Sequence, residues 1–454
     1  MGLTADIGRF VSDMRYERVP AEAVPIACRG FTDCIGVLLA GLREPVTAIV
    51  ARAAGYGRAA ETLADFSAPP LPAPDMALIY GTAGHALDYD DTGLNGHPSA
   101  VLAPAILAQA QETGAGGKAM IAAYVAGYEI WAEFCARETD SLHQKGWHPS
   151  AVYGTVAAAG AAAVLRALDA ETAARAIGIA ASLASGVVSN FGSMTKPFHL
   201  GRTAQSALLA VRYAQAGLTA APDAIEHELG FLRAVSPRGE VDTARPAQLG
   251  ARWRIVQSGI NVKLYPMCFG AHRILDAMID LCRTHRVEAG GIAAVDVELA
   301  ENSVKVLRNA RPQTALEAKF SAQFALAAAA IAGRCSEAEV ATPFVQRADV
   351  QGFFGKVRIH PVAETDPQEP TRSPFDRVTV TLTDGRRIAS EPVQYPRGHH
   401  RRGVEREVLW QKFSDCAAKV VERPRALALF EALQDLPSLA GVQDLRAPLA
   451  PAAE

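Results

Sequence analysis

The chain is sparing with lysine, and it lacks a cysteine framework, a phosphate loop and a nucleophile elbow. Nine of its 45 basic residues are Lys, and against 48 acidic residues the net charge is −3. There is no basic run and no aromatic–basic interleaving, so no field favours nucleic acid or an anionic membrane. The seven Cys are dispersed without CxxC or other metal-ligand spacing, which fits reduced thiols in a cytosol. No GxGxxG opens a βαβ unit and no GxxxxGK[ST] occurs, which disfavours nucleotide cofactors. The missing GxSxG disfavours serine hydrolase chemistry. The start, Met1-Gly-Leu-Thr-Ala-Asp6, lacks the charged-then-apolar order of a signal peptide, and Asp6 stands where myristoylation wants Ser or Thr. The best membrane-span candidate, Pro149–Leu165, is short and rich in Ala, Gly, Ser and Thr, which reads as a buried core helix. The expectation is a cytoplasmic protein without nucleic-acid or membrane partners.

What is present is a globular composition, 49% hydrophobic and 20% charged, over 454 residues. That length exceeds one compact core and implies two or three units. Apolar residues recur at helical spacing in 22–41, 45–54, 99–112, 118–136, 151–166, 170–187 and 201–217. Asp169-Ala-Glu-Thr predicts a capped helix start, and Pro222-Asp-Ala-Ile-Glu another. After about residue 262 the pattern changes. Helices are expected at His272–Thr284 and 314–332, strands at 295–299 and 356–360, and a hairpin at 378–389 around Asp384-Gly385. The stretch 396–403 reads as a linker, and 404–436 returns to helix. The fold class is therefore mainly α with a smaller α+β domain. Residues 1–264 and 398–454 would form one helical domain from both chain ends, and 265–397 would be inserted, with a cleft between the parts.

Four polar islands interrupt this apolar pattern. The densest is His85-Ala-Leu-Asp88-Tyr-Asp90-Asp91-Thr92 with His97-Pro-Ser. Packing does not account for so many titratable groups, since buried carboxylates and imidazoles need partners. A metal site is one reading, but no HExxH or EF-hand order supports it. Helix-capping Asp residues are another, and they leave the cluster as a whole unexplained. Acid–base chemistry, with a carboxylate orienting an imidazole or Lys, fits best. The second island is Lys145-Gly-Trp-His148-Pro-Ser. It places His148 at a helix N-terminus, where a substrate carboxylate is favoured. The third is Thr195-Lys196-Pro-Phe-His199-Leu-Gly-Arg202. Lys196 precedes Pro, so extended backbone is expected there, with a helix resuming near Gly201. The fourth is Lys263-Leu-Tyr265-Pro-Met-Cys268-Phe-Gly-Ala-His272-Arg273, a hinge segment suited to a cleft wall. Cys268 has no activating base nearby in sequence.

These motifs, in this order, resemble the MmgE/PrpD family, which includes 2-methylcitrate dehydratases, cis-aconitate decarboxylases and iminodisuccinate epimerases. The resemblance runs from Phe31-Thr-Asp-Cys-Ile-Gly-Val-Leu-Leu-Ala-Gly41 through Gly230-Phe231 to the Tyr265-Pro segment. It implies a large helical domain, a smaller lid domain, a homodimer, and neither metal nor organic cofactor. It places active-site positions at Asp88, Thr92, His97, His148, Lys196 and His272. The chain departs from the family pattern at Gly93, at Cys268-Phe269 and at His399-His400-Arg-Arg, which leaves the substrate open.

Chemistry next to a carboxylate without a metal needs cations and donors gathered around it. Lys196, His148 and Arg202 are the candidates. His97 oriented by Asp88 is the expected acid/base, and His272 a second. Thr92 would hold a hydroxyl or carboxylate, with Tyr265 and Cys268 in the binding wall. The expected function is a dehydratase-type lyase on a small di- or tricarboxylate. The alternatives are epimerisation of an iminodisuccinate-like substrate, cis-aconitate-type decarboxylation, a metal-dependent hydrolase, and a non-catalytic dicarboxylate-binding paralogue.

Overall fold

The computed structural model describes residues 2–57, 60–67, 71–367, 369 and 372–445. The chain divides into two compact units, residues 1–261 with 405–454, and residues 262–404. The divisions fall at 261/262 and 404/405, where the sequence reading set 264/265 and 397/398.

The first unit is helical. Its helices include Leu3–Asp13, Ala23–Gly41, Pro45–Ala53, Ala73–His85, Pro98–Thr113 and Gly117–Arg137. Pro149–Leu165, Ala170–Leu183, Thr195–Gln215, Arg406–Ala417 and Arg423–Gln434 complete the main set. The Pro149–Leu165 helix is buried nearly end to end, and its Ala and Gly side chains let neighbouring backbones approach. Asp169 caps the next helix, accepting from the Glu171 and Thr172 amides at 3.0 and 2.9 Å. One helix, Ala23–Gly41, is long and apolar enough to cross a membrane, but 78% of that stretch is buried in the core. The predicted helix start at Pro222 is corrected. Residues 222–230 form turns, and the five-residue helix Phe231–Val235 follows.

The C-terminal helices are tied to the N-terminal ones by a buried ion pair. Lys412 Nζ donates to Asp33 Oδ1 at 2.6 Å and to the Tyr89 carbonyl at 2.7 Å. Both side chains are almost wholly buried.

The second unit holds a four-stranded sheet in the order β2-β1-β3-β4. The strands are β1 (Ile292–Ala300), β2 (Val357–Val362), β3 (Arg377–Leu382) and β4 (Arg387–Ala389). β1 runs parallel to β2 and antiparallel to β3. The β3–β4 hairpin turns at Asp384-Gly385, with Gly385 at φ +85°, a conformation that suits Gly. The His272–His285 and Ala322–Ala332 helices pack on the core containing Val295, Val297, Val378 and Val380. The helix expected over 314–332 is broken, because Ser321 accepts from the Phe324 amide and starts a new one. The linker reading of 396–403 is also corrected. His399 there is fully buried and its Nε2 lies 2.8 Å from Glu369.

Removing one partner of a buried pair strands the other charge. Lys412→Met is therefore expected to lower the unfolding free energy by about 3–5 kcal/mol. Asp33→Asn in the same chain should restore most of it. Urea unfolding monitored by circular dichroism measures both; a loss for Lys412→Met no larger than a surface pair gives would refute the role.

Candidate active site

One helix crossing builds the site. The Ala73–His85 and Thr195–Gln215 helices meet backbone to backbone. A Cβ on Gly81 would stand 2.8 Å from Gly201 Cα, and one on Gly201 would stand 2.1 Å from the Leu78 carbonyl oxygen. Both are closer than side chains tolerate, so the crossing requires Gly at each position. It brings His85, at the end of one helix, to Lys196 in the first turn of the other. The expected extended backbone at Lys196 is corrected, because the helix begins at Thr195. Pro197 falls in its first turn, where the amide has no intrahelical acceptor to lose.

Lys196 is 5% exposed. Its Nζ lies 2.8 Å from His85 Nε2 and donates to Asp88 Oδ1 at 2.9 Å. The Phe191 ring centroid is 5.2 Å away. Asp88 meets the ammonium from a left-handed backbone, φ +51°, which Asp adopts more readily than most residues. His85 Nε2 faces a donor, so its proton sits on Nδ1, which donates to Asp90 Oδ1 at 2.8 Å. Asp90 Oδ2 lies 2.9 Å from His97 Nδ1. That nitrogen donates to the Asp91 carbonyl at 3.0 Å, which makes Nε2 the basic nitrogen of His97. Asp88 is 3.9 Å from His97 Nε2. The expected Asp88–His97 pair is thus a long contact: Asp90 stands closer, against His97 Nδ1, while Asp88 bonds Lys196.

His148 is the N-cap of the Pro149–Leu165 helix. Its amide donates to the Gly186 carbonyl at 3.0 Å, and its Nδ1 lies 3.2 Å from His199 Nδ1. The His148 ring centroid is 6.1 Å from that of His85 and 6.5 Å from that of His97. Ser150, two residues on, accepts the His97 amide at 3.1 Å. Asp91 has a structural task. Its carboxylate accepts from the Ser99 amide at 3.2 Å and from the Ser99 hydroxyl, capping the Pro98–Thr113 helix.

Burial dominates the electrostatics. It lowers His85 to about 3, against the pull of Asp90 and with help from Lys196 and His97. Burial and then Lys196 hold His148 well below the usual imidazole range. The same two causes put His199 at about 4. Burial, then His97 and Lys196, put His143 at about 4. Asp90 goes the other way. Burial would raise it, but the imidazoles of His85 and His97 bring it well below the usual carboxylate value.

His85, Asp88, Asp90 and His97 offer four metal-ligand atoms within 4.8 Å of one another. Lys196 already presents a cation to two of them, at 2.8 and 2.9 Å. A divalent ion there would meet a like charge, so the donor set fits a lysine better than a metal.

Two predicted residues of the first unit, Arg202 and Thr92, do not join this cluster. Arg202 is exposed and donates to Gln205 Oε1 at 2.6 Å. Six residues past Lys196, it is turned about 120° around the helix. The Thr92 hydroxyl donates to the Gly96 carbonyl at 2.8 Å, closing the loop before His97. Tyr265, Cys268 and His272 belong to the second unit. The Tyr265 hydroxyl donates to Asp276 Oδ1 at 2.5 Å, and Asp276 also accepts from the Arg397 amide at 2.6 Å. The Cys268 amide donates to the Lys319 carbonyl at 2.9 Å. His272 is fully buried between the rings of Tyr265 and Phe269, at 5.0 and 4.8 Å.

Two family models match the chain. The MmgE/PrpD N-terminal domain covers residues 5–244 and the MmgE/PrpD C-terminal domain covers 265–436. The chain belongs to the MmgE/PrpD family. Among its relatives, cis-aconitate decarboxylase of Homo sapiens is 25% identical over 81% of this chain and 78% of its own length. Cis-aconitate decarboxylase of Aspergillus terreus is 25% identical over 98% of this chain and 95% of its own length. The cis-aconitate decarboxylase-like protein oryM of Aspergillus oryzae is 23% identical over 98% and 96%.

Within this member of the family, sequence reasoning gave no role to His85, Asp90, His143, Phe191 or His199. His85 and Asp90 lay in the cluster it singled out. The signal for His199 was its three-residue spacing from Lys196, hidden once Lys196 was placed outside the helix.

Two outcomes follow from this geometry. Gly201→Ala should part the two helices by an amount on the order of 1 Å, enough to cost about 100-fold in turnover; unchanged turnover would show that the crossing does not set the site. The imidazoles of His85, His143 and His199, held at about 3, 4 and 4, should stay neutral from pH 6 to 8. Nitrogen-15 NMR of the free protein should show no midpoint for them in that window.

Proposed function

We propose that this protein is a lyase that breaks a bond next to a carboxylate of a small di- or tricarboxylate, using its own acid–base groups. The observation that carries this reading is the buried Lys196 ammonium, held by Asp88 and His85 beside His97 and His148. An anionic metabolite entering this cluster would meet a cation, imidazole donors and a helix N-terminus together.

Decarboxylation of a cis-aconitate-type substrate is the first reading. It is supported by relatives named for that reaction that align over most of their length. The carbon–carbon bond to one carboxylate breaks, carbon dioxide leaves, and the electron pair stays on the carbon skeleton. One proton from an imidazolium then completes the product. In this scheme Lys196 holds a remaining carboxylate and His97 Nε2 carries the proton. Dehydration, placed first from the sequence, is the second reading. It is favoured by the 3.9 Å separation of His97 Nε2 from Asp88, which sets an imidazole base beside a carboxylate held by the Lys196 ammonium. A homodimer belongs to the same proposal and is supported by the family resemblance; a cytoplasmic location is supported by the seven dispersed cysteines.

The test is an assay of cis-aconitate, 2-methylcitrate, citrate and iminodisuccinate with EDTA present, following carbon dioxide release and product by NMR. Carbon dioxide from cis-aconitate is expected. Lys196→Met should lower kcat/KM by about 10²–10³-fold. Water loss from 2-methylcitrate alone would favour the second reading. Activity abolished by EDTA and restored by a divalent ion would overturn the lysine-centred chemistry. Calorimetric binding without turnover of any substrate would overturn the lyase assignment.

A further inference from the structure

The loop that carries Thr92 is held from behind by one face of the Gly117–Arg137 helix. Three side chains at helical spacing reach it or its partner strand. The Tyr128 hydroxyl donates to the Gly259 carbonyl at 2.6 Å. Trp131 packs where a Cβ on Gly96 would sit, 2.7 Å away. Cys135 Sγ lies 3.5 Å from the Leu94 carbonyl. Residues 128, 131 and 135 share one helix face. The loop itself pairs with the chain at 261. The Thr92 amide donates to the Asn261 carbonyl at 2.9 Å, and the Asn261 amide donates to the Thr92 carbonyl at 2.8 Å.

The segment ending at Asn261 has its own anchor. Glu129, 1% exposed, accepts the Arg254 amide at 3.1 Å and the Ile255 amide at 2.9 Å. These are the first two residues of the short Arg254–Ser258 helix. That helix ends at Gly259, φ +53° and ψ −159°, a backbone that only Gly adopts without strain. The chain then has two residues in which to reach the Thr92 bridge. Glu129 touches no group of the cluster, yet it fixes the start of the segment that fixes the loop.

We infer that Glu129 is a positioning residue: its carboxylate anchors residues 254–261, and through the Asn261–Thr92 bridge it holds the loop that leads into His97. A carboxylate serves this task better than an amide, because both of its oxygens accept. The charged groups facing it are Arg254 on the anchored segment and Glu133 one turn on. Glu133 is paired with Arg137 at 2.8 Å and lies 3.8 Å from Arg245. Burial raises Glu129 to about 7, against the two backbone amides. An opening that frees the two amides while Glu129 stays buried raises it further, so protonation favours that opening and the anchor weakens as pH falls through that value.

The kinetic part of this inference rests on the proposed function, and the structural part does not. Hydrogen exchange at the Thr92 and Asn261 amides, expressed as protection factors, reads the bridge without any substrate. Glu129→Ala should lower both factors by about tenfold or more while distant helices keep theirs. Glu129→Gln should fall between and lose the pH dependence. In the native protein the two factors should drop between pH 8 and pH 6. On whichever carboxylate is turned over, Glu129→Gln should lower kcat and flatten the limb of its pH profile near 7. Should Glu129→Ala fail to fold, Tyr128→Phe removes only the hydroxyl on Gly259 and should lower the Asn261 factor alone or most. Unchanged protection in these variants overturns the inference. Lost protection with unchanged kcat overturns the positioning role. Absence of turnover on every carboxylate overturns the functional reading and leaves the exchange result to decide this one.

Discussion

An ammonium group excluded from water must find its counter-charge inside the protein, and in the first unit this requirement organises everything near Lys196. The penalty for burying such an ion without partners is several kcal/mol. Here Asp88 and His85 meet it together. Both partners come from the end of one helix and the turn after it, so the ammonium reaches them only if the two helices touch. Gly81 and Gly201 permit that contact, since a methyl group at either would clash with backbone. The left-handed turn at Asp88 then points its carboxylate back at the lysine. Two glycines, one unusual backbone angle and one ion pair therefore stand or fall together.

The consequence runs outward through the imidazoles. Lys196 as donor fixes the proton of His85 on Nδ1, which directs it to Asp90. Asp90 in turn meets His97. A tautomer chosen by one lysine is thus passed along two histidines and a carboxylate. Burial keeps His85, His148 and His199 neutral in the free protein. A neutral imidazole beside an ammonium can take a proton when an anion arrives and supplies the opposite charge, which is what acid–base chemistry next to a carboxylate demands.

Much of this was legible in the sequence, and the gaps have physical causes. Helices with recurring apolar spacing were placed closely: 45–54 became Pro45–Ala53, and 118–136, although buried on every face along most of its length, became Gly117–Arg137. The Asp384-Gly385 hairpin followed from turn chemistry. The Ala73–His85 helix, buried on every face, was not singled out. Lys196 was put outside its helix by a rule about residues before Pro that does not bind in a first turn. The residue types of the site were visible as a cluster, but their pairing was not. Which Asp serves which base depends on a single positive φ at Asp88, and no spacing in the sequence reports that angle.

The two units also show how the cluster proposed to react differs from a structural one in the same chain. In the second unit the charged groups close on each other. Arg397 bonds Asp276 and Asp280, Tyr265 donates to Asp276, and Arg372 and His399 share Glu369. Each of these three acids has its base, and the sets brace loops against the core. Around Lys196 the balance is different. Three histidines, His97, His148 and His199, gather beside one paired lysine, with Asp90 the carboxylate that stands 2.9 Å from a ring nitrogen of His97. His148 and His199 face each other through like nitrogens, 3.2 Å apart, so one proton has to serve both. Neutral imidazoles next to a fixed positive charge gain most when a proton and an anion enter together. Structural stability alone would not favour such an arrangement, because apolar side chains of the same volume would fill the space at lower cost. Its presence in the core of an otherwise closely packed helical unit is the physical reason to place the chemistry there.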